Sequence, residues 1–82
     1  MYKIIWSAPA EKELRKLEHG IARRIYAKVG SLSSNPFRNA IKLTGETGYR
    51  IRIGDYRVLF DVDKKTVSIL ILKVGHRSTV YD

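Results

Sequence analysis

The stretch YRIRIGDYRVLF, residues 49–60, decides the fold because it predicts a β-hairpin. Apolar residues alternate with polar ones on both sides of a central Gly-Asp pair, as in strands that bury one face. A two-residue turn suits this pair, because Gly54 readily takes positive φ. The turn predicts four opposed pairs, namely Ile53 with Tyr56, Arg52 with Arg57, Ile51 with Val58, and Arg50 with Leu59.

The predicted register puts three arginines on one face of this hairpin. Arg50 and Arg52 are two residues apart, and Arg57 is opposite Arg52, so all three share a face. Opposed like charges destabilise a sheet, whereas guanidinium groups match phosphate oxygens, so a polyanionic ligand would explain the arrangement. The alternative is an ordinary solvated basic face on which Asp55 or Asp61 reduces the repulsion.

The segments before the hairpin predict a strand and two helices. YKIIW at 2–6 alternates and predicts a strand, after which Ser7 suits a helix N-cap and Pro9 a first helical turn. Apolar residues recur at helical spacing on both sides of His19-Gly20, which predicts two helices joined by a tight link there. SSNP at 33–36 is expected to end the second helix.

Three strands are predicted in the second half of the chain, at 49–53, 56–62 and 66–74, after a loop around KLTGETG. The last strand contains VSILILKV and is predicted to be central and buried on both faces. The order of elements predicts an α+β fold. An N-terminal strand and a three-stranded antiparallel meander form one sheet, and the helical hairpin packs on one face.

Composition and charge limit the classes of function. The chain has 82 residues, which predicts a single domain over 1–82. Sixteen Lys and Arg against eight Asp and Glu give a net charge of +8, which favours an anionic partner over a merely soluble basic protein. Cysteine is absent and no apolar run is long enough to cross a bilayer, so a reducing cytoplasm is the expected location.

The C-terminal segment GHRSTVYD, residues 75–82, brings three chemical groups together. Arg77 can hold a phosphate, His76 titrates near neutral pH, and Tyr81 can stack on a base. The alternatives are a surface or capping histidine and a tyrosine that fills the core. The two histidines are far apart and neither has a carboxylate pair at ligand spacing, so we expect no metal site and no cofactor.

YRIRIGDYRVLFDVD followed by ILKVGHRSTVYD is similar to the RelE family of toxin–antitoxin toxins. SAPAEKELRKLE, NPF and KLTG also fit, so the resemblance covers nearly the whole chain. It implies a microbial-ribonuclease-like α+β fold and a metal-independent endoribonuclease that cuts mRNA in the ribosomal A site. It also implies inhibition by a small RelB-like antitoxin.

The resemblance also implies which residues serve the site. The family's two basic residues on the second strand match Arg50 and Arg52, and its later arginines match Arg57 and Arg77. The near-terminal tyrosine matches Tyr81, for which we favour base stacking, and Lys42 in KLTG is expected to bind RNA phosphate.

One departure from the family concerns the general base. A lysine on the second strand is proposed as the base in well-known members, and arginine stays protonated and cannot replace it. His76 is therefore the candidate base in the chain, and the ribosome or an RNA group is the alternative.

RNA supplies its own nucleophile, the 2′-hydroxyl, so a cleavage site of this kind needs only alignment, charge stabilisation and proton transfer.

Two functions other than RNA cleavage stay open. ParE toxins share the fold but poison DNA gyrase, and they generally lack the basic and aromatic cluster. A basic RNA-binding module without catalysis would use the same arginine contacts.

Overall fold

The computed structural model describes residues 1–45, 47–76 and 78, and these residues form one five-stranded sheet with two helices. In chain order the elements are β1 (Lys3–Trp6), α1 (Ala8–Arg15), α2 (His19–Gly30), a 3₁₀ turn (Ser31–Ser33), β2 (Ile41–Lys42), β3 (Tyr49–Ile53), β4 (Tyr56–Asp63) and β5 (Ser68–His76). The strand order is β1-β5-β4-β3-β2, in which β1 is parallel to β5 and the other pairs are antiparallel. The α+β prediction is confirmed. Neither helix is long and apolar enough to span a lipid bilayer.

The start of α1 follows the prediction. Ser7 is the N-cap, and its hydroxyl accepts a hydrogen bond of 3.2 Å from the backbone N–H of Ala10. The backbone N–H of Ser7 donates to the carbonyl of Ile71 on β5 at 3.0 Å. The cap therefore also ties the beginning of the helix to the sheet.

The link between the helices lies earlier than predicted. His19-Gly20 was expected to break the helical pattern, but α2 begins at His19. The reason is that the Glu18 carboxylate accepts hydrogen bonds from the N–H groups of Gly20 and Ile21, at 2.9 and 3.1 Å. An N-cap of this kind satisfies amide groups that a first helical turn leaves without partners. The second helix also ends earlier than predicted, at Gly30, and a 3₁₀ turn follows it.

The hairpin prediction is confirmed in each of its four opposed pairs. The φ angle is 61° at Gly54 and negative at Asp55. Positive φ at the first turn residue alone is the pattern of a type II′ turn, which matches the twist of the flanking strands.

The prediction for the most apolar strand was half right. β5 is an inner strand between β1 and β4, but only one of its faces is covered. Ile69, Ile71 and Val74 are buried, whereas Leu70 and Leu72 are 39% and 38% exposed. Both helices pack on the same face of the sheet, so the other face stays open.

A short edge strand, β2, was missed because two residues are too few to show a period. It pairs with β3 only at Tyr49 and Arg50. The rest of the outer edge of β3, from Ile51 to Ile53, is therefore not covered by β2.

The core lies between the covered face of the sheet and the helices. Phe60 on β4 is the largest side chain that is fully buried. Its neighbours in the core come from both helices, the 3₁₀ turn and three strands, namely Ala10, Ile25, Val29, Leu32, Ile51, Ile53, Val58, Ile69, Ile71 and Val74.

Candidate functional site

The hairpin brings Arg50, Arg52 and Arg57 together on the open side of the sheet, and we call this set the arginine face. Arg52 is directly opposite Arg57, and Arg50 is two residues away from Arg52 on β3. The intervening Ile51 and the neighbouring Val58 point to the covered side and are buried. A buried apolar side chain thus alternates with each arginine, so the core holds the arginine face in position.

The three guanidinium groups differ in how firmly they are held. Arg52 is exposed, whereas Arg50 and Arg57 are half-buried and their Nε atoms are shielded from solvent. Arg50 and Arg57 each also have an interaction partner within the protein. A cation held in this way needs little rearrangement when it meets a negative charge.

Residues of β5 complete the surface beside the arginines. Gly75 is opposite Arg57 and has no side chain, so a ligand can approach the sheet closely beside this guanidinium. Lys73 is opposite Leu59, which is itself opposite Arg50, so this exposed lysine shares the open face. Neither residue could be placed beside the arginines from the sequence, because a four-residue turn between strands does not reveal the register of β4 and β5.

His76 lies on the other side of the sheet from the arginine face. It is opposite Tyr56, and the two rings meet edge to face with centroids 5.4 Å apart. Its Nδ1 accepts a hydrogen bond of 3.2 Å from the backbone N–H of Ser78 and lies 2.9 Å from the Ser78 hydroxyl. The structure therefore does not bring the candidate base to the arginines.

Lys42 is also set apart from the arginine face. It is opposite Tyr49, whose ring stacks on Phe60 at 5.8 Å on the covered side of the sheet. The neighbouring residue, Ile41, is the one opposite Arg50, and it is 53% exposed. The structure therefore places Lys42 on the other face of the sheet from the arginine face, and its predicted role in phosphate binding stays a prediction.

Two predicted site residues, Arg77 and Tyr81, lie outside the described residues, so their roles stay predictions. Within residues 1–45, 47–76 and 78, no three His, Asp or Glu side chains cluster as metal ligands do.

Comparison with known families gives a match over nearly the whole chain. The model of the family described as the ParE toxin of the type II toxin–antitoxin system parDE matches residues 4–81. The match therefore includes the helical hairpin, the arginine face and the C-terminal segment.

Individual relatives carry the name of the related RelE toxins. The chain is 31% identical over 83 residues to toxin RelG of Mycobacterium tuberculosis, covering 98% of this chain and 95% of that one. Among solved structures, the RelBE2 toxin–antitoxin complex of the same organism has a TM-score of 0.86 at 30% identity, covering 93% of this chain and 98% of the other. The intact RelBE complex of Escherichia coli has a TM-score of 0.80 at 26% identity, covering 93% and 96%. With its sequence and its fold both matched over more than nine-tenths of the chain by such toxins, the chain belongs to the RelE/ParE superfamily of toxins of type II toxin–antitoxin systems.

Proposed function

We propose that this toxin is an endoribonuclease that cuts mRNA in the ribosomal A site and thereby stops translation. The observation that carries the proposal is the arginine face, on which Arg52 and Arg57 are directly opposed beside Arg50. Opposed guanidinium groups cost stability in the absence of an anion, and the oxygens of a phosphodiester match the planar fork of each group. The similarity to RelE toxins supports the same activity.

The reaction that fits this surface uses the RNA itself as nucleophile. The 2′-oxygen forms a bond to the adjacent phosphorus, and the bond from phosphorus to the 5′-oxygen breaks. A base takes the proton of the 2′-hydroxyl, and the departing 5′-oxygen takes up a proton. The products are a 2′,3′-cyclic phosphate and a 5′-hydroxyl, and no metal ion takes part.

The arginines stabilise the charge that develops in this reaction. The non-bridging oxygens gain negative charge in the transition state, where preorganised cations are most effective. Arg52 and Arg57 hold the scissile phosphate. Arg50, which is on β3 like Arg52, adds a third positive charge, and Gly75 leaves room for the RNA to approach the sheet closely. In the proposal, Arg77 adds a further cation and Tyr81 stacks on a base.

The proton acceptor in this proposal is not a side chain of the arginine face. Arginine stays protonated, and His76 faces Tyr56 on the other side of the sheet. A group of the ribosome or of the RNA takes the proton, and the toxin contributes alignment and charge. Lys42 is assigned to RNA contacts away from the scissile phosphate.

Primer extension on programmed ribosomes tests the proposal. Purified toxin is added, and mRNA ends are mapped for the wild type, for Arg52→Ala and for Lys12→Ala, which removes an exposed cation of α1. We expect cuts within the A-site codon for the wild type and Lys12→Ala, and strongly reduced cutting for Arg52→Ala. Intact mRNA with the wild-type toxin would show that the proposed activity is wrong.

A RelB-like antitoxin is the proposed protein partner. The RelBE2 and RelBE structures are toxin–antitoxin complexes, and a basic surface of this kind attracts an acidic segment. We expect an antitoxin encoded beside the toxin gene to relieve growth arrest when the two are co-expressed. The two proteins should form a complex whose association slows at high salt. Failure of both binding and relief would contradict this partner.

Gyrase inhibition is the second candidate, because the family model that matches this chain is that of ParE toxins. A supercoiling assay with DNA gyrase, run beside the ribosome assay, separates the two activities. A third outcome, RNA binding with neither cleavage nor gyrase inhibition, would identify a binding module.

A further inference from the structure

An open groove runs along the uncovered edge of β3. Two cavities of about 540 and 470 Å³ lie between this edge, the C-terminal half of α2 and the turn that follows it. Lys28, Ser31 and Arg52 line both cavities, so the two adjoin each other. We call the two adjoining cavities together the edge groove. It exists because β2 pairs with only the first two residues of β3.

The edge groove is strongly cationic. Among the described residues it is lined by no Asp or Glu side chain, and its cations are Arg24, Lys28, Arg38, Arg50 and Arg52. A concave surface with charges of one sign focuses the field and attracts the opposite charge. An anionic ligand is therefore expected in the groove.

Two of the cations follow one another along α2. Arg24 and Lys28 are four residues apart on α2, so they share a helix face and are about 6 Å apart along its axis. The Arg24 guanidinium reaches the hairpin turn, where its Nη1 is 3.2 Å from the position that a Cβ of Gly54 would occupy. The row of cations thus begins beside the turn that adjoins the arginine face.

Uncharged groups in the edge groove suit a nucleic acid better than a small anion. Ser31, Ser34 and Asn35 line the larger cavity together with the exposed side chain of Ile41. The Asn35 side-chain oxygen accepts from the backbone N–H of Phe37 at 3.2 Å, so its NH₂ group is the part that remains to donate. Donors reach phosphate or ribose oxygens, and an apolar side chain contacts a base.

We infer that the edge groove binds the phosphodiester backbone of the single-stranded RNA that continues beyond the scissile phosphate. This inference rests on the proposed function, since Arg50 and Arg52 belong to both the arginine face and the groove. Arg24 and Lys28 hold flanking phosphates, which aligns the strand and extends the contact over several nucleotides.

A peptide strand is the other occupant that the free edge of β3 admits. It would pair with the main chain of only three residues, Ile51–Ile53, whereas five cations line the groove. Because the groove offers many cations and only a short stretch of main chain for strand pairing, a polyanion fits it better than a peptide strand does.

Binding of 2′-O-methyl RNA, which lacks the nucleophile and is not cut, tests the inference. Fluorescence anisotropy compares oligonucleotides of about three and about nine nucleotides over a range of salt concentrations. The variant is Arg24→Gln/Lys28→Gln. The matched control, Arg23→Gln/Lys12→Gln, removes the same two residue types at exposed positions outside the groove.

We expect the groove variant to bind the longer RNA with a weaker salt dependence than the wild type does, and to bind the shorter RNA with an unchanged salt dependence. Each phosphate contact contributes about 0.7 to the slope of log K against log salt for a single strand, so the groove variant should lose about 1.4. The control, the charge-preserving Arg24→Lys/Lys28→Arg and the shorter RNA should show no such loss. Arg38→Gln alone should lose about 0.7, which provides a second readout should the double variant not fold.

Two results would overturn the inference. One is an unchanged slope for the groove variant with the longer RNA, and the other is groove-dependent binding of an acidic peptide but not of RNA. Wild-type cleavage on programmed ribosomes is measured in parallel. Absence of cleavage would remove the proposed function, whereas a groove-dependent slope would still establish the RNA track.

Discussion

At the scale of single residues, Arg52 and Arg57 form a like-charge pair that lowers stability and that, in the proposed function, binds the scissile phosphate. They are opposed across β3 and β4, where like charges are unfavourable, and the half-buried Arg57 is held beside the side-chain-free Gly75. Such an arrangement stabilises a negative charge that arrives later, because the cations are already in place.

Arg57→Ala should separate activity from stability. Loss of one preorganised cation typically lowers the rate by about 10²–10³, so we expect single-turnover cleavage on programmed ribosomes to fall by that factor. The melting temperature should change little, because removal of a like-charge pair opposes the loss of the interaction that Arg57 makes within the protein. Lys65→Ala, an exposed cation in the turn after β4, is the control and should change neither property. Wild-type cleavage by Arg57→Ala would remove this residue from the site.

His76→Ala should leave the reaction unchanged, contrary to the expectation from sequence. The imidazole faces Tyr56 and not Arg57, so the cleavage rate and its profile from about pH 5.5 to 8.5 should match the wild type. Loss of the edge-to-face contact should lower the free energy of unfolding by about 0.5–1 kcal/mol. A lost limb of the pH profile would instead show that His76 transfers a proton.

At the scale of elements, the start of α2 depends on one carboxylate. Hydrogen bonds from the N–H groups of Gly20 and Ile21 hold the pKa of Glu18 below its ordinary value of 4.5. Hydrogen bonds from Thr66 and Lys65 likewise hold the pKa of Asp63 below 3.8. Both carboxylates therefore favour the folded protein in their ionised form.

The Glu18 cap predicts a loss of stability in acid. Because its pKa is lowered by folding, its contribution is fully present above about pH 4.5 and is lost as the pH falls through the lower folded value. Glu18→Gln should therefore narrow the difference in melting temperature between pH 6 and pH 3. Glu13→Gln, whose carboxylate meets Lys16 at the surface of α1, is the control and should leave that difference wide.

At the scale of the whole molecule, the core of an 82-residue chain leaves little margin. A domain of this size has a free energy of unfolding of about 4–12 kcal/mol. Phe60 is fully buried, stacks on Tyr49 and lies at the β-bulge between β4 and β5. One side chain thus supports both the core and the strands that carry the arginine face.

Phe60→Ala should cost about 3–5 kcal/mol, because it removes buried apolar area and leaves a cavity. Urea unfolding should show a large fall in the transition midpoint, or an unfolded chain without denaturant. Phe37→Ala is the comparison, since its ring is 39% exposed and touches Tyr49 from outside the core. Equal losses for the two variants would contradict the central role of Phe60.

The sequence alone determined the hairpin and its two faces. The register follows from a two-residue turn at Gly54, and alternation then places Arg50, Arg52 and Arg57 together, so only local geometry is involved. The Ser7 cap was readable for the same reason. The link between the helices was misplaced, because glycine at 20 suggested a break whereas the Glu18 side chain makes it part of a first helical turn.

Only the tertiary structure decided what lies around the arginine face. A β-bulge at Leu59/Phe60 shifts the register of β5 by one residue, and a shift of one residue exchanges the two faces of a strand. The bulge puts Gly75 opposite Arg57 and turns His76 toward Tyr56. With this shift, Phe60 and Val74 are both buried in the core. The shift therefore depends on packing between distant segments, which no local sequence pattern encodes. The edge groove also depends on packing between distant segments. It forms because β2 pairs with only the first two residues of β3, and because α2 lies beside the remaining edge of that strand.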